Sequence, residues 1–150
     1  MRVLLDINVV LDVFLARTPW LTDSAAVFQA NHEGRITAYL SAAAVPTIHY
    51  IVRRHASLEQ AGQVVTECLD SFQIVPVDRA TLELAQSLPG SDYEDNIHSA
   101  CATSAQLAGI VTRDVKGFVH SPIPVWSPEE LAAQFPKPSP PRIDSPSNGD

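Results

Sequence analysis

Apolar residues follow two patterns along the chain: short continuous runs, and longer stretches in which they recur every three to four residues. The short runs predict β-strands and the longer stretches predict amphipathic helices. The predicted strands are 2–5, 36–40, 73–77, 110–112 and 123–126. The predicted helices are 8–16, about 23–32, 42–55, 58–70, 79–87 and 93–107, with a last short helix after Ser127.

This alternation of strands and helices predicts an α/β fold. We expect three layers, α/β/α, around a mostly parallel sheet of four to five strands, with 123–126 at an edge. Thr22 or Asp23 is expected to cap the second helix, and Gly34 and Gly109 to end helices. Pro76 should shorten the third strand because proline has no N–H to donate.

The composition changes after Phe135, where PKPSPPRIDSPSNGD is rich in proline and serine. Such a segment buries too little apolar surface to order itself. We therefore predict one domain over 1–135 and a disordered tail over 136–150.

With 150 residues, 45% of them hydrophobic, the chain suits one domain with a real core. Asp6 and Asp12 interrupt the apolar start, which argues against a signal peptide or a membrane helix. We expect a soluble, cytoplasmic protein in which Cys68 and Cys101 are reduced core residues.

The net charge of −7 argues against a broad basic face for nucleic acid. A small basic rim beside a bound cation stays possible. Arg113 and Lys116 are the better candidates for contacting phosphate. The basic run 53–55 stands at a helix end, where it is better explained by the helix dipole.

Acidic residues follow two of the predicted strands, which should place them at one edge of the sheet if strands one and four are neighbours. Asp6 follows strand one and Asp114 follows strand four, while Asp92, Glu94 and Asp95 open the helix that leads into strand four. Carboxylates so gathered repel one another unless a cation such as Mg²⁺ or Mn²⁺ neutralises them. Each could instead be a helix cap or turn residue.

The segments LLDINVVLD, DYEDNIHSACA and IVTRDVKGF resemble the successive acidic motifs of PIN domains, the nuclease fold of VapC-like toxins in bacterial toxin–antitoxin systems. The resemblance covers about 1–135. It implies a metal-dependent endoribonuclease that uses Mg²⁺ or Mn²⁺, takes RNA as substrate and is bound by an antitoxin protein.

Carried over residue by residue, the resemblance makes Asp6, Asp95 and Asp114 the metal-binding catalytic acids and Asp92 an additional acid. Asn8 would support Asp6 by hydrogen bonding, and Arg113 would flank the last acid. A hydroxyl often stands before that acid, as Thr112 does here.

The resemblance has a gap in the helix after strand two, where most PIN domains carry a glutamate. Ser41, Thr47 and His49 are the nearest polar candidates, and Gly117 stands where many relatives have an aspartate. Fewer carboxylates predict a weaker cation site.

Other residues have structural interpretations. His98 lies one turn after Asp95 and could support the site from behind its acids, but a place on the helix surface is favoured. Trp20 and Trp126 are expected in packing. The apolar helices within 8–33 and 43–69 could serve a homodimer or an antitoxin groove, or simply a two-layer core.

Two alternatives to the nuclease stay open. The first is a PIN-like RNA- or protein-binding module with weak or no catalysis, because the glutamate is missing. The second is an aspartyl phosphatase, since Asp6-Ile7-Asn8 loosely resembles the Asp-x-Asp start of haloacid-dehalogenase-type enzymes, with Lys116 as its lysine.

Overall fold

The computed structural model describes residues 1–135, so the predicted tail 136–150 lies outside the described residues. Five parallel strands form one sheet in the order β3-β2-β1-β4-β5. The central strand β1 pairs with β2 on one side and with β4 on the other, as the site prediction required. The strands are β1 (Arg2–Leu5), β2 (Thr37–Ser41), β3 (Gln73–Val75), β4 (Gly109–Val111) and β5 (Val125–Trp126).

Helices cover both faces of this sheet, which confirms the three-layer α/β/α prediction. Val3 and Leu5 of β1 pack on one face with α1 to α4 and α7, while Leu4 packs on the other face with α6. Helix α5 packs on α6 in that second layer. The helices are α1 (Ile7–Phe14), α2 (Leu21–His32), α3 (Ala44–His55), α4 (Leu58–Ser71), α5 (Arg79–Ser87), α6 (Tyr93–Ser104), α7 (Pro128–Ala133) and a 3₁₀ helix (Val115–Phe118).

The end of α6 differs from the prediction, because the helix stops at Ser104 rather than continuing to Leu107. Gln106 adopts a left-handed conformation with φ of 52°, and the N–H of Leu107 reaches back to the carbonyl of Ala102 at 2.9 Å. These are features of a Schellman turn, in which glycine is the usual left-handed residue. A glutamine in that position gave no such signal in the sequence.

Gly109 does not end a helix but begins β4. A Cβ there would lie 2.6 Å from the carbonyl oxygen of Pro124, so the close approach of β5 requires glycine. The start of α2 was also predicted wrongly: the helix begins at Leu21, and neither Thr22 nor Asp23 caps it. The shortening of β3 before Pro76 is confirmed.

Cys68 and Cys101 are buried free thiols, as predicted. Burial raises the pKa of the Cys68 thiol to about 12 and also raises that of Cys101. Since the thiolate is the reactive form, both side chains act as small apolar groups.

Within residues 1–135, every helix falls short of the length and apolar character that crossing a bilayer would demand.

Candidate active site

Asp6 stands where β1 ends, and the neighbouring strand β4 fixes it from both backbone and side chain. The Asp6 N–H donates to the Val111 carbonyl at 2.9 Å, and the Thr112 hydroxyl donates to Asp6 Oδ2 at 2.7 Å. Asp6 Oδ1 accepts the N–H of Ile7 at 2.7 Å and thereby caps α1. The capping interpretation and the site interpretation of Asp6 are therefore both compatible with its position.

Asp95 lies half-buried in the first turn of α6, which Asp92 caps by accepting the Asp95 N–H at 3.1 Å. Burial raises the pKa of the Asp95 carboxyl to about 6, and the carboxylates of Asp6, Asp92 and Asp114 add to the rise. Nearby His98 opposes it. The four predicted acids thus share one electrostatic neighbourhood.

Asp114 is exposed at the end of β4 and caps the 3₁₀ helix, its Oδ1 accepting the Gly117 N–H at 3.1 Å. Its own N–H donates to the Thr112 hydroxyl at 3.0 Å. Because that hydroxyl also donates to Asp6, Thr112 connects two of the acids directly.

Gly117 marks the place toward which two carboxylates converge. A Cβ on this residue would lie 2.6 Å from Asp114 Oδ2 and 3.2 Å from Asp95 Oδ2. The missing side chain therefore leaves open the space between these acids.

The donor set has the chemistry of a hard-cation site, since carboxylate oxygens are the ligands that Mg²⁺ and Mn²⁺ favour. The pKa of Asp95 is raised first by burial and then by the neighbouring carboxylates, and a bound cation would offset both costs of the Asp95 charge. Within residues 1–135, however, no three His, Cys, Asp or Glu side chains are already arranged to hold a metal ion. The residues fit a cation by their chemistry, and the side chains have to close around it.

His98 does not lie on a helix surface, so that prediction was wrong. Its side chain is 0% exposed, and its Nε2 lies 3.8 Å from Asp6 Oδ1 and 3.8 Å from Glu94 Oε1. Neither ring nitrogen has a hydrogen-bond partner among the described residues. The small side chains that follow His98 at 99–102 were the available signal, because they allow close helix packing.

Asn8 does not support Asp6 by the predicted hydrogen bond. Its Oδ1 instead accepts the backbone N–H of Arg113 at 3.4 Å. Asn8 therefore holds the chain between Thr112 and Asp114, in the segment that follows β4.

Arg113 does not present its side chain as a free phosphate contact. Its Nε lies 2.6 Å from Oδ2 of Asp12, a carboxylate with 0% exposure, and its guanidinium stacks 3.9 Å from the centre of the Trp20 ring. Trp20 is 43% exposed, so it packs against this cation rather than in the core. Asp12 was not identified from the sequence as a site-supporting residue. Trp126 does pack against the main core, as predicted.

The segment after β2 offers no replacement for the missing glutamate. Ser41 Oγ accepts the N–H of Ala43 at 3.0 Å, and the Thr47 hydroxyl donates to the Ala43 carbonyl at 3.5 Å, so both bond locally. His49 is the remaining polar candidate there, and it is only half-buried on α3.

The basic run 53–55 lies in the last turn of α3, whereas the first turn follows the site end of β2. Twelve helical residues span roughly 18 Å, which separates these cations from the acids. Their placement agrees with complementing the helix dipole.

Solved structures with this fold include three that contain toxin–antitoxin or DNA-bound complexes. VapBC2 from Rickettsia felis, bound to a DNA fragment from its promoter, matches with a TM-score of 0.63 and 14% identity over 85% of this chain and 98% of that chain. FitAB bound to an IR36 DNA fragment matches with a TM-score of 0.65 and 19% identity, over 85% of this chain and 95% of that chain. A toxin–antitoxin complex from Klebsiella pneumoniae matches with a TM-score of 0.63 and 20% identity, over 85% of this chain and 98% of that chain.

No curated protein matches the sequence. The family model described as the PIN domain matches residues 2–116, which includes every predicted acid from Asp6 to Asp114. The chain therefore belongs to the PIN domain family.

Proposed function

We propose that this chain is a metal-dependent endoribonuclease that cuts phosphodiester bonds in RNA. The observation that carries the proposal is the half-buried Asp95 carboxyl, whose pKa is raised by burial and by the acids around it. Asp6, Asp95 and Asp114 would hold Mg²⁺ or Mn²⁺, and Asp92 is an additional acid of the site. A half-buried acid kept beside three other carboxylates suggests a site shaped for function.

The bound cation would activate a water molecule and stabilise charge on a phosphodiester oxygen. The residues of the chain orient the acids for that work. Thr112 fixes Asp6 by its 2.7 Å hydrogen bond and supports the backbone of Asp114, while Asp92 caps the turn that carries Asp95. With Arg113 paired to Asp12, the exposed Lys116 is the cation next to Asp114 in sequence that can meet the phosphate.

We further infer that the protein is the toxin of a toxin–antitoxin pair and acts on RNA in the cytoplasm. Support comes from the similar folds of VapBC2, FitAB and the Klebsiella pneumoniae complex. Tyr50, Leu58 and Leu69 are exposed apolar side chains on α3 and α4. They are available to an antitoxin or to a second copy of the chain in a homodimer.

A PIN-like binding module without catalysis is the second candidate. It is favoured by the absence of an acid in the segment after β2 and by the lack of a ready-made metal group in residues 1–135. An aspartyl phosphatase is less well supported. Both Asp6 oxygens already accept hydrogen bonds and the residue is buried, which makes it a poor nucleophile.

Incubation of the purified protein with single-stranded RNA and Mn²⁺ tests the nuclease. We expect internal cleavage that EDTA stops and that Asp95→Asn abolishes. The exposed Asp70 of α4 provides a matched control, because Asp70→Asn removes an acid outside the site. Cleavage that persists in EDTA or in Asp95→Asn would contradict the mechanism. Mn²⁺ and RNA binding without cleavage would favour the binding module.

A further inference from the structure

His98 combines complete burial with two unused ring nitrogens. Its side chain is 0% exposed, and neither Nδ1 nor Nε2 has a partner among the described residues. A buried polar group without a partner is costly, so each one in a folded protein calls for an explanation, such as a role in the active site or a bound water or ion. The Nε2 atom faces the site, 3.8 Å from Asp6 Oδ1.

Glu94 is a second carboxylate near the same nitrogen. Its Oε1 also lies 3.8 Å from His98 Nε2, and its side chain is 47% exposed. The two residues are four apart on α6, so their side chains share a face of the helix. His98 Nε2 thus lies near a buried acid that follows β1 and near a half-exposed acid whose side chain can rotate.

We propose that Glu94 is a further carboxylate of the cation site and that His98 is the positioning residue that holds it beside Asp6. The inference rests on the proposed cation site. The segment after β2 brings no acid to the site, and the proposal gives the site an additional acid from α6. The Nε2 proton of His98 can hydrogen-bond to Asp6 and Glu94 together after a small side-chain shift, which would keep both carboxylates facing the same cation.

Mn²⁺ binding to the full chain, measured by calorimetry and by electron paramagnetic resonance, tests the role of Glu94 independently of cleavage. We expect Glu94→Gln to weaken Mn²⁺ binding at least about tenfold, the lower end of what losing even an outer partner of a metal ligand costs. Glu59→Gln is the matched control, because Glu59 also lies in the first turn of a helix but on α4. Equal Mn²⁺ affinity in the two variants would overturn the proposal.

Two substitutions test His98. His98→Leu removes the donor, and we expect a loss of Mn²⁺ affinity of about tenfold or more. His98→Gln keeps an N–H donor near the Nε2 position and should restore part of that affinity. In a Glu94→Gln background, His98→Leu should cost less Mn²⁺ affinity than in the wild type, because one of the two acceptors of the His98 proton has already changed. Independent, additive effects would contradict positioning through Glu94. If His98→Leu fails to fold, the Mn²⁺ affinities of His98→Gln and Glu94→Gln, alone and combined, test the proposal instead.

The failure of this inference differs from that of the nuclease proposal. A wild-type chain that binds no Mn²⁺ would overturn the cation site and this inference with it. If the wild-type chain and the Glu94→Gln variant bind Mn²⁺ with equal affinity, only the assignment of Glu94 is overturned.

Discussion

Arg113 Nε lies 2.6 Å from Asp12 Oδ2, so a fully buried carboxylate of α1 is neutralised by the residue that separates Thr112 from Asp114. Asp12 also accepts a hydrogen bond from the Ser24 hydroxyl at 3.3 Å, and Trp20 covers the guanidinium. The end of β4, which carries the last acid, is therefore anchored to α1 and to the start of α2.

Arg113→Gln should destabilise the fold, because it leaves the Asp12 charge buried without its partner. We expect a loss of about 3 kcal/mol in the free energy of unfolding, the lower end for breaking a buried pair, since Arg113 is partly exposed. Urea denaturation measures it.

The exposed Arg79–Glu83 pair provides the control for that substitution. Arg79→Gln should cost under about 1 kcal/mol, because solvent screens that pair. In the double variant Asp12→Asn/Arg113→Gln the cost should fall below the sum of the single costs. Additive costs would show that the 2.6 Å contact is not an energetic pair.

Thr112→Val should uncouple Asp6 from Asp114, because the lost hydroxyl donates to one and accepts from the backbone of the other. We expect a stability loss of about 1–2 kcal/mol and a fall of about tenfold or more in cleavage and Mn²⁺ affinity. Thr112→Ser retains the hydroxyl and should keep most of both. A serine variant as impaired as the valine variant would assign the effect to packing.

Gly117→Ala should impair the site while sparing the fold. The new methyl group would lie 2.6 Å from Asp114 Oδ2, a side-chain rather than a backbone atom, and would displace it. We expect about a tenfold loss of Mn²⁺ affinity and a change of under about 1 kcal/mol in unfolding free energy. Gly62→Ala, in the interior of α4 with open space around it, should instead stabilise the protein and leave binding unchanged. Unaltered Mn²⁺ affinity in Gly117→Ala would contradict convergence of the acids at this point.

Asp95→Asn should stabilise the metal-free protein at neutral pH. Because folding raises the pKa of Asp95 from 3.8 to about 6, the folded state binds more protons between these values, and stability falls as pH rises through that window. The asparagine variant lacks this decline. Allowing for partial exposure, we expect it to be more stable by about 1–2 kcal/mol at pH 7.

Denaturation in EDTA at pH 4 and pH 7 measures this difference, which should be small at the lower pH. Added Mn²⁺ should stabilise the wild type more than Asp95→Asn. A variant less stable than the wild type at pH 7 without metal would contradict the assigned cost of the Asp95 charge.

The sequence was most informative where a local pattern determines the structure. Apolar runs located the five strands, and the position of Asp6 and Asp114 after parallel strands predicted that they meet at one edge of the sheet. The burial of Asp12 was not predicted, because its partner Arg113 is 101 positions away and no local pattern links the two. The burial of His98 was not predicted for a similar reason, since it depends on the packing of α6 against β1.

The two outer strands of the sheet have a consequence for self-association. β3 contains three residues and ends before Pro76, and β5 contains two. An added chain would gain only a few ladder hydrogen bonds at either margin, so neither is a good template for cross-strand aggregation. Within residues 1–135, a protein partner would therefore have to contact the side chains of helices and loops rather than extend the sheet.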